Sequence, residues 1–137
     1  MQTVLVDTDI AIDFLRGAEY AGVIMKKLWN SNAAYLSILS AYELFAGMKE
    51  DEVGDTENFI NACNIEPVTI AITRKAGEAY RLNRKKGVTL TSIDCLIYAT
   101  AVVRGHRIAT KNKDHYPDKK ILLVLQSGSS EQVNAGI

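Results

Sequence analysis

The chain has 137 residues, 47% hydrophobic and 23% charged, which suits one globular domain that folds without a disulfide or structural metal. Its sixteen basic and sixteen acidic residues cancel, and the two isolated cysteines, Cys63 and Cys95, read as buried thiols and exclude a zinc cluster. Early acids interrupt any signal peptide and no apolar run reaches the roughly eighteen residues of a membrane span, so a cytoplasmic protein is expected.

The first predicted element is the strand Val4-Leu5-Val6, which runs straight into Asp7-Thr8-Asp9. A short apolar run of this kind is a central strand of an α/β sheet, and open parallel sheets form their ligand crevice at the strands' carboxyl ends. Thr8 or Asp9 is expected to cap a short helix carrying Ile10, Phe14 and Leu15, stopped by Gly17. The apolar stripe Ala21, Ile24, Met25, Leu28 and Trp29 predicts a helix over 19–30, and 33–38 reads as the second strand. Ser40 is expected to cap a helix to about residue 49. An acidic, solvated loop over 50–55, a helix over 56–63 and a short strand over 65–68 follow.

The spacing predicts a helix over 71–86 with Ile72, Ala76, Ala79 and Leu82 inward. Arg74, Lys75, Arg81, Arg84, Lys85 and Lys86 lie around its outside. Thr91 or Ser92 caps a helix over 93–104 that is apolar nearly all round and is therefore expected to be buried. Gly105 closes it. Strands at 107–110 and 121–125 follow, then a polar tail from residue 127. Alternating strands and helices argue for a parallel sheet with helices on both faces, joined by right-handed crossovers.

Three places share one grammar. Asp7-Thr8-Asp9 follows the first strand, Glu43 sits on the first turn after the second, and Asn112 and Asp114 follow Ile108-Ala109-Thr110. Asp94 opens the apolar helix. In a parallel sheet all of these lie at one edge, where Asp7, Glu43 and Asp94 can converge. Each also has a local explanation, because Ser40-x-x-Glu43 and Thr91-x-x-Asp94 match the capping box, and Asp9, Asn112 and Asp114 suit caps and turns. Two carboxylates ~4 Å apart repel by about 4 kcal/mol at an effective dielectric of 20, so a convergent set would raise its pKa values or bind a cation. All-oxygen ligands favour Mg²⁺ or Mn²⁺, the usual apparatus of phosphodiester hydrolysis. His106, just past the helix-ending glycine, reads as partly exposed; His115, beside Asp114, is a candidate to assist. Residues 1–66 carry a balance of −7 and residues 67–137 one of +7. That fits a cation met by one half and a polyanion by the other, or simply two solvated faces.

Leu5-Val6-Asp7-Thr8-Asp9-Ile10, Ser40-Ala41-Tyr42-Glu43-Leu44-Phe45-Ala46-Gly47, Ser92 to Ala101 and Ile108-Ala109-Thr110-Lys111-Asn112 together resemble, in order and spacing, the four signature blocks of PIN-domain ribonucleases. The closest likeness is to VapC-type toxins of prokaryotic toxin–antitoxin pairs. The resemblance covers about residues 2–125 and implies a PIN-like three-layer α/β/α sandwich with a mainly parallel sheet; the domain is expected over residues 1–126, and the polar composition of 127–137 predicts a flexible tail. It also implies a Mg²⁺-dependent endoribonuclease, with Mn²⁺ as a substitute, that leaves a 5′-phosphate and a 3′-hydroxyl. Asp7, Glu43 and Asp94 carry over as metal ligands, and the fourth catalytic position, often Asp, falls on Asn112. Thr8 and Ser40 could support the acids, and Asp114 could supply the charge Asn112 lacks. Arg74, Arg81, Lys85, Arg107 and Lys111 are candidate RNA contacts. A homodimer and an antitoxin covering the crevice are the implied partners.

Two rivals remain at this level. A haloacid-dehalogenase-like phosphatase would use Asp7 of the Asp7-x-Asp9 motif as nucleophile, but leaves Glu43 and Asp94 without a role. A non-cleaving PIN-like module would bind RNA or a partner, with Asn112 marking the lost acid.

Overall fold

The computed structural model describes residues 2–116 and 118–125, so the tail expected at 127–137 lies outside the described residues. Five strands, β1 (Val4–Val6), β2 (Ala34–Ser37), β3 (Asn64–Glu66), β4 (Arg107–Thr110) and β5 (Leu122–Val124), form one sheet in the order β3-β2-β1-β4-β5. Every neighbouring pair is parallel. Around it stand α1 (Thr8–Leu15), α2 (Glu19–Asn30), α3 (Ile38–Gly47), α4 (Val53–Ala62), α5 (Ile70–Lys85) and α6 (Ser92–Arg104).

The period-two pleat divides the strand residues between two cores. Val4 and Val6, Ala34 and Leu36, Ala109 and Leu123 share a buried cluster with Ile10 of α1, Ile24 and Leu28 of α2, Leu44 of α3 and Phe59 of α4. Leu5, Ile108 and Leu122 point the other way, against Ile97 and Ala101 of α6 and against Tyr116. A third cluster, including Ile72, Ala76, Cys95 and Ala99, welds α5 to α6. The result is the expected three-layer α/β/α sandwich. Both β1 faces are covered, which is why its three residues are uniformly apolar.

Several local expectations need correction. Asp7, not Thr8 or Asp9, is the N-cap of α1, with its side chain accepting from the Thr8 N–H. Ser37, the last residue of β2, caps α3 by accepting from the Leu39 N–H at 3.1 Å, so Ser40 lies inside the helix. The acidic stretch expected as a loop is a 3-10 turn at Glu50–Glu52 that leads directly into α4. Leu82 of α5 is 50% exposed, and α6 leaves Val102 and Val103 partly in solvent, because only one of its faces meets the sheet and α5. Thr91 does cap α6, accepting from the Asp94 N–H at 3.1 Å, and Gly105 closes that helix at φ +76°. Cys63 and Cys95 are free and buried, as expected. Among the described residues no helix is long and apolar enough to cross a membrane.

Candidate active site

Asp7 leaves β1 at the carboxyl edge of the sheet, its N–H still bonded to Ala109 of β4 at 2.9 Å. The side chain is 6% exposed and fully engaged. Oδ1 accepts from the Thr8 N–H at 2.8 Å, and Oδ2 accepts from the Thr110 hydroxyl at 3.0 Å and the Tyr116 hydroxyl at 3.1 Å. Burial and the neighbouring Asp9 charge nevertheless push its pKa up to about 6 against those hydrogen bonds. No Lys, Arg or His side chain pairs with it among the described residues.

Thr8 links Asp7 to the second element. Its hydroxyl donates to Glu43 Oε1 at 2.7 Å and lies 3.0 Å from the buried Ser40 hydroxyl. A carboxylate only accepts, so Thr8 gives its single proton to Glu43 and receives that of Ser40. Thr8, Ser40 and Glu43 are therefore one hydrogen-bonded unit across the α1–α3 seam. The capping reading of Glu43 falls away here, because Ser37 and not Ser40 opens the helix. A groove of about 170 Å³ opens beside it, lined by Ile12, Leu15, Arg16, Glu43 and Leu44 among others.

Asp9 ties the site to the segment after β4. Its Oδ2 accepts from the Lys111 N–H at 3.0 Å, while Oδ1 is buried without a partner. Burial raises its pKa, and the Lys111 N–H only partly offsets that. The Lys111 ammonium is itself committed, 2.6 Å from Asp13 Oδ2. Asp94 stands on the first turn of α6, half-buried, and no hydrogen bond to its carboxylate is found among the described residues. Its charge and those of Asp7 and Asp9 reach the Tyr116 phenol, which burial first and these charges next push far up.

The remaining candidates are placed elsewhere. The Asn112 side chain turns to His115 Nε2 at 2.8 Å and both residues are exposed. Asp114 is exposed on the Lys113–His115 3-10 turn, without a bond to the acids. Arg74, Arg81 and Lys85 are exposed on α5. Arg107 pairs with Val4 at the opposite, amino edge of the sheet, where its guanidinium donates to Leu122 O at 2.8 Å. His106, expected to be partly exposed, is 6% exposed: its ring nitrogens lie 2.6 Å from Thr3 Oγ1 and from Glu66 Oε2, and Arg104 also binds Glu66. Sequence reasoning missed Thr110 and Tyr116. Thr110 ends a strand at the same edge as the acids, a signal that was there to use.

No group of three Asp, Glu, His or Cys side chains among the described residues is drawn together tightly enough to grip one ion by itself. Magnesium asks for less, since it keeps several waters and takes only one or two carboxylates directly. Asp7, whose charge no cationic side chain meets, Asp94 and the orphaned Asp9 Oδ1 offer only oxygen atoms, the donor chemistry that such a hydrated hard cation takes.

Comparison with known proteins supplies the rest. The profile of the PIN domain matches residues 4–120. Ribonuclease VapC19 of Mycobacterium tuberculosis is 37% identical over 114 residues, covering 82% of this chain and 91% of that protein. In structure, VapBC2 from Rickettsia felis bound to a DNA fragment from its promoter superposes with a TM-score of 0.76 at 18% identity, over 90% of this chain and 97% of that one. A toxin–antitoxin complex from Klebsiella pneumoniae gives 0.71 at 20% identity, over 88% and 95%. The structural likenesses speak for the fold, and the sequence match over most of the chain speaks for descent: the chain belongs to the PIN-domain family, in its VapC-type branch.

Proposed function

We propose that this protein is a metal-dependent endoribonuclease acting as the toxin of a toxin–antitoxin pair in the cytoplasm. The observation that carries the reading is the Asp7 carboxylate, buried at the end of the central strand with its charge unmatched by any cationic side chain among the described residues. An acid in that position is costly until a cation compensates it. Asp7 and Asp94 are the residues to hold Mg²⁺ or Mn²⁺, with Glu43 acting directly or through a water. Such an ion lowers the pKa of a water and offsets charge on the phosphodiester. The chain's own contribution is orientation: Thr8, Thr110 and Tyr116 fix Asp7, and the Thr8–Ser40 pair fixes Glu43.

The ribonuclease name of the 37% identical relative supports RNA as substrate. Toxin–antitoxin complexes among the structural neighbours support an antitoxin partner, for which the apolar-floored groove beside Glu43 offers a place. Ile38, Tyr42 and Phe45 leave an exposed apolar stripe on α3 at spacings of four and three residues, which supports a homodimer. Asn112, neutral and turned to His115, is no ligand in this reading and at most a substrate contact.

The test is cleavage of total RNA with Mg²⁺ and with a chelator, by wild type and by the Asp7→Asn and Asp94→Asn variants. Loss in both variants with folding intact is expected. Retained cleavage in both ends the metal–acid reading. Metal-independent RNA retention without cleavage by the wild type would instead favour the non-cleaving module.

A further inference from the structure

Tyr116 has no place among the acids and none among the signature residues, yet its hydroxyl ends on the buried carboxylate of Asp7. The ring is 0% exposed and packs with Leu5, Ile97, Ala101, Ile108 and Leu122 between the sheet and α6. A phenylalanine would fill that volume. A phenol in an apolar layer is unfavourable unless its O–H finds an acceptor, and the acceptor here is Asp7 Oδ2 at 3.1 Å.

The other hydroxyl on that oxygen is less committed. Thr110 Oγ1 lies 3.0 Å from Asp7 Oδ2 and 3.4 Å from Asp9 Oδ2, and it also accepts the Asn112 N–H at 3.0 Å. Its single proton is shared between two carboxylates. Asp7 is the one carboxylate that the Tyr116 hydroxyl donates to among the described residues. The Tyr116 backbone is pinned as well, its N–H to Lys113 O at 3.3 Å and its carbonyl accepting from Lys119 Nζ at 2.7 Å. A rigid ring, held at both ends, therefore aims one donor at one oxygen.

We propose that Tyr116 is a positioning residue for Asp7, holding its carboxylate through the buried hydroxyl in the orientation that receives a divalent cation. The inference rests on the metal–acid reading above. Partners that orient a ligand from behind typically alter metal affinity or activity by 10–100-fold when removed. Tyr116→Phe keeps the packing and deletes only the donor. Calorimetric titration with Mg²⁺ should show binding weakened about tenfold or more. RNA cleavage should fall at low Mg²⁺ and recover largely at high Mg²⁺, with KM for RNA unchanged. In the wild type, the ring carbon resonances of Tyr116 should shift on Mg²⁺ addition with the calorimetric affinity, a readout independent of the variant's folding. Mg²⁺ affinity of Tyr116→Phe within twofold of wild type, or Tyr116 resonances that ignore Mg²⁺, would overturn the proposal. Asp7→Asn separates the two levels: if that variant binds Mg²⁺ and cleaves RNA like the wild type, the metal–acid reading itself has failed.

Discussion

Asp7 serves two masters. Its Oδ1 caps α1 while its Oδ2 faces Thr110 and Tyr116, and burial still holds its pKa near 6 instead of the ordinary 3.8. The raised value sets the sign of a stability effect. The folded protein binds the Asp7 proton more tightly than the unfolded chain, so the associated stability is full below pH 3.8 and is lost as pH rises through about 6. The shift corresponds to about 3 kcal/mol at neutral pH. Metal-free wild type should therefore lose stability relative to Asp7→Asn between pH 4 and 7, which urea melts of the two proteins in chelator would reveal. Taking the difference removes the opposite, downward shift of Asp13, while the coupled Asp9, whose charge Asp7 feels, contributes in the same direction. Saturating Mg²⁺ should restore the wild type but not the variant. A gap that does not widen with pH would show that Asp7 is not desolvated as described. Glu43 offers the complementary case. In Glu43→Gln the amide oxygen still accepts the Thr8 hydroxyl, so melting should move by less than about 0.5 kcal/mol while Mg²⁺-dependent cleavage disappears. A large loss of stability would mean Glu43 is chiefly structural.

At the scale of elements, the helix starts are what place the acids. Ser37 closes β2 and opens α3 in one residue, and its oxygen is the cap of the helix from which Glu43 projects. Ser37→Ala should cost about 1 kcal/mol, seen as a lower urea midpoint with unchanged slope, because a partly buried helix N–H is left without its acceptor. The sequence suggested Ser40 instead, since Ser40-x-x-Glu43 has the spacing of a capping box. The true cap was hidden because Ser37 belongs to the strand that feeds the helix. The same ambiguity concealed the role of Asp7, for Thr8 and Asp9 are equally good capping residues by type. By contrast β4 was legible to the residue, bounded by Gly105 before it and the polar run after Thr110. The acidic 50–55 segment misled because charge alone was read as a loop, whereas Glu52 accepts the Lys49 N–H and starts a turn that α4 continues. Tyr116 was illegible for a different reason. Its bond to Asp7 spans 109 residues of chain, and no local pattern encodes a contact that only the closed sheet creates.

Over the whole molecule, the charge asymmetry of the sequence acquires geometry. The buried Asp7 and the half-buried Asp9, Glu43 and Asp94 come from the end of β1, from α1, from α3 and from the start of α6, while Arg74, Arg81 and Lys85 stand exposed on α5, which packs on α6. Arg107 belongs to neither group, because parallel pairing with β1 carries it to the sheet's amino edge and its guanidinium binds a backbone carbonyl. Lys111, paired with Asp13, has its charge spoken for. If α5 meets the backbone of single-stranded RNA, each phosphate it neutralises should add about 0.7 to the steepness of log affinity against log salt. The triple variant Arg74→Ala, Arg81→Ala, Lys85→Ala should then weaken binding at low salt and reduce that slope by about 2. The comparison belongs in the Asp7→Asn background, so that cleavage does not distort the anisotropy titration. Arg107→Ala should leave the slope unchanged and lower only stability, because the bond to Leu122 O goes with the guanidinium. An unaltered slope in the triple variant would make the basic half of the chain a solvated face, and would move the RNA path off α5 toward the Glu43 side of the crevice.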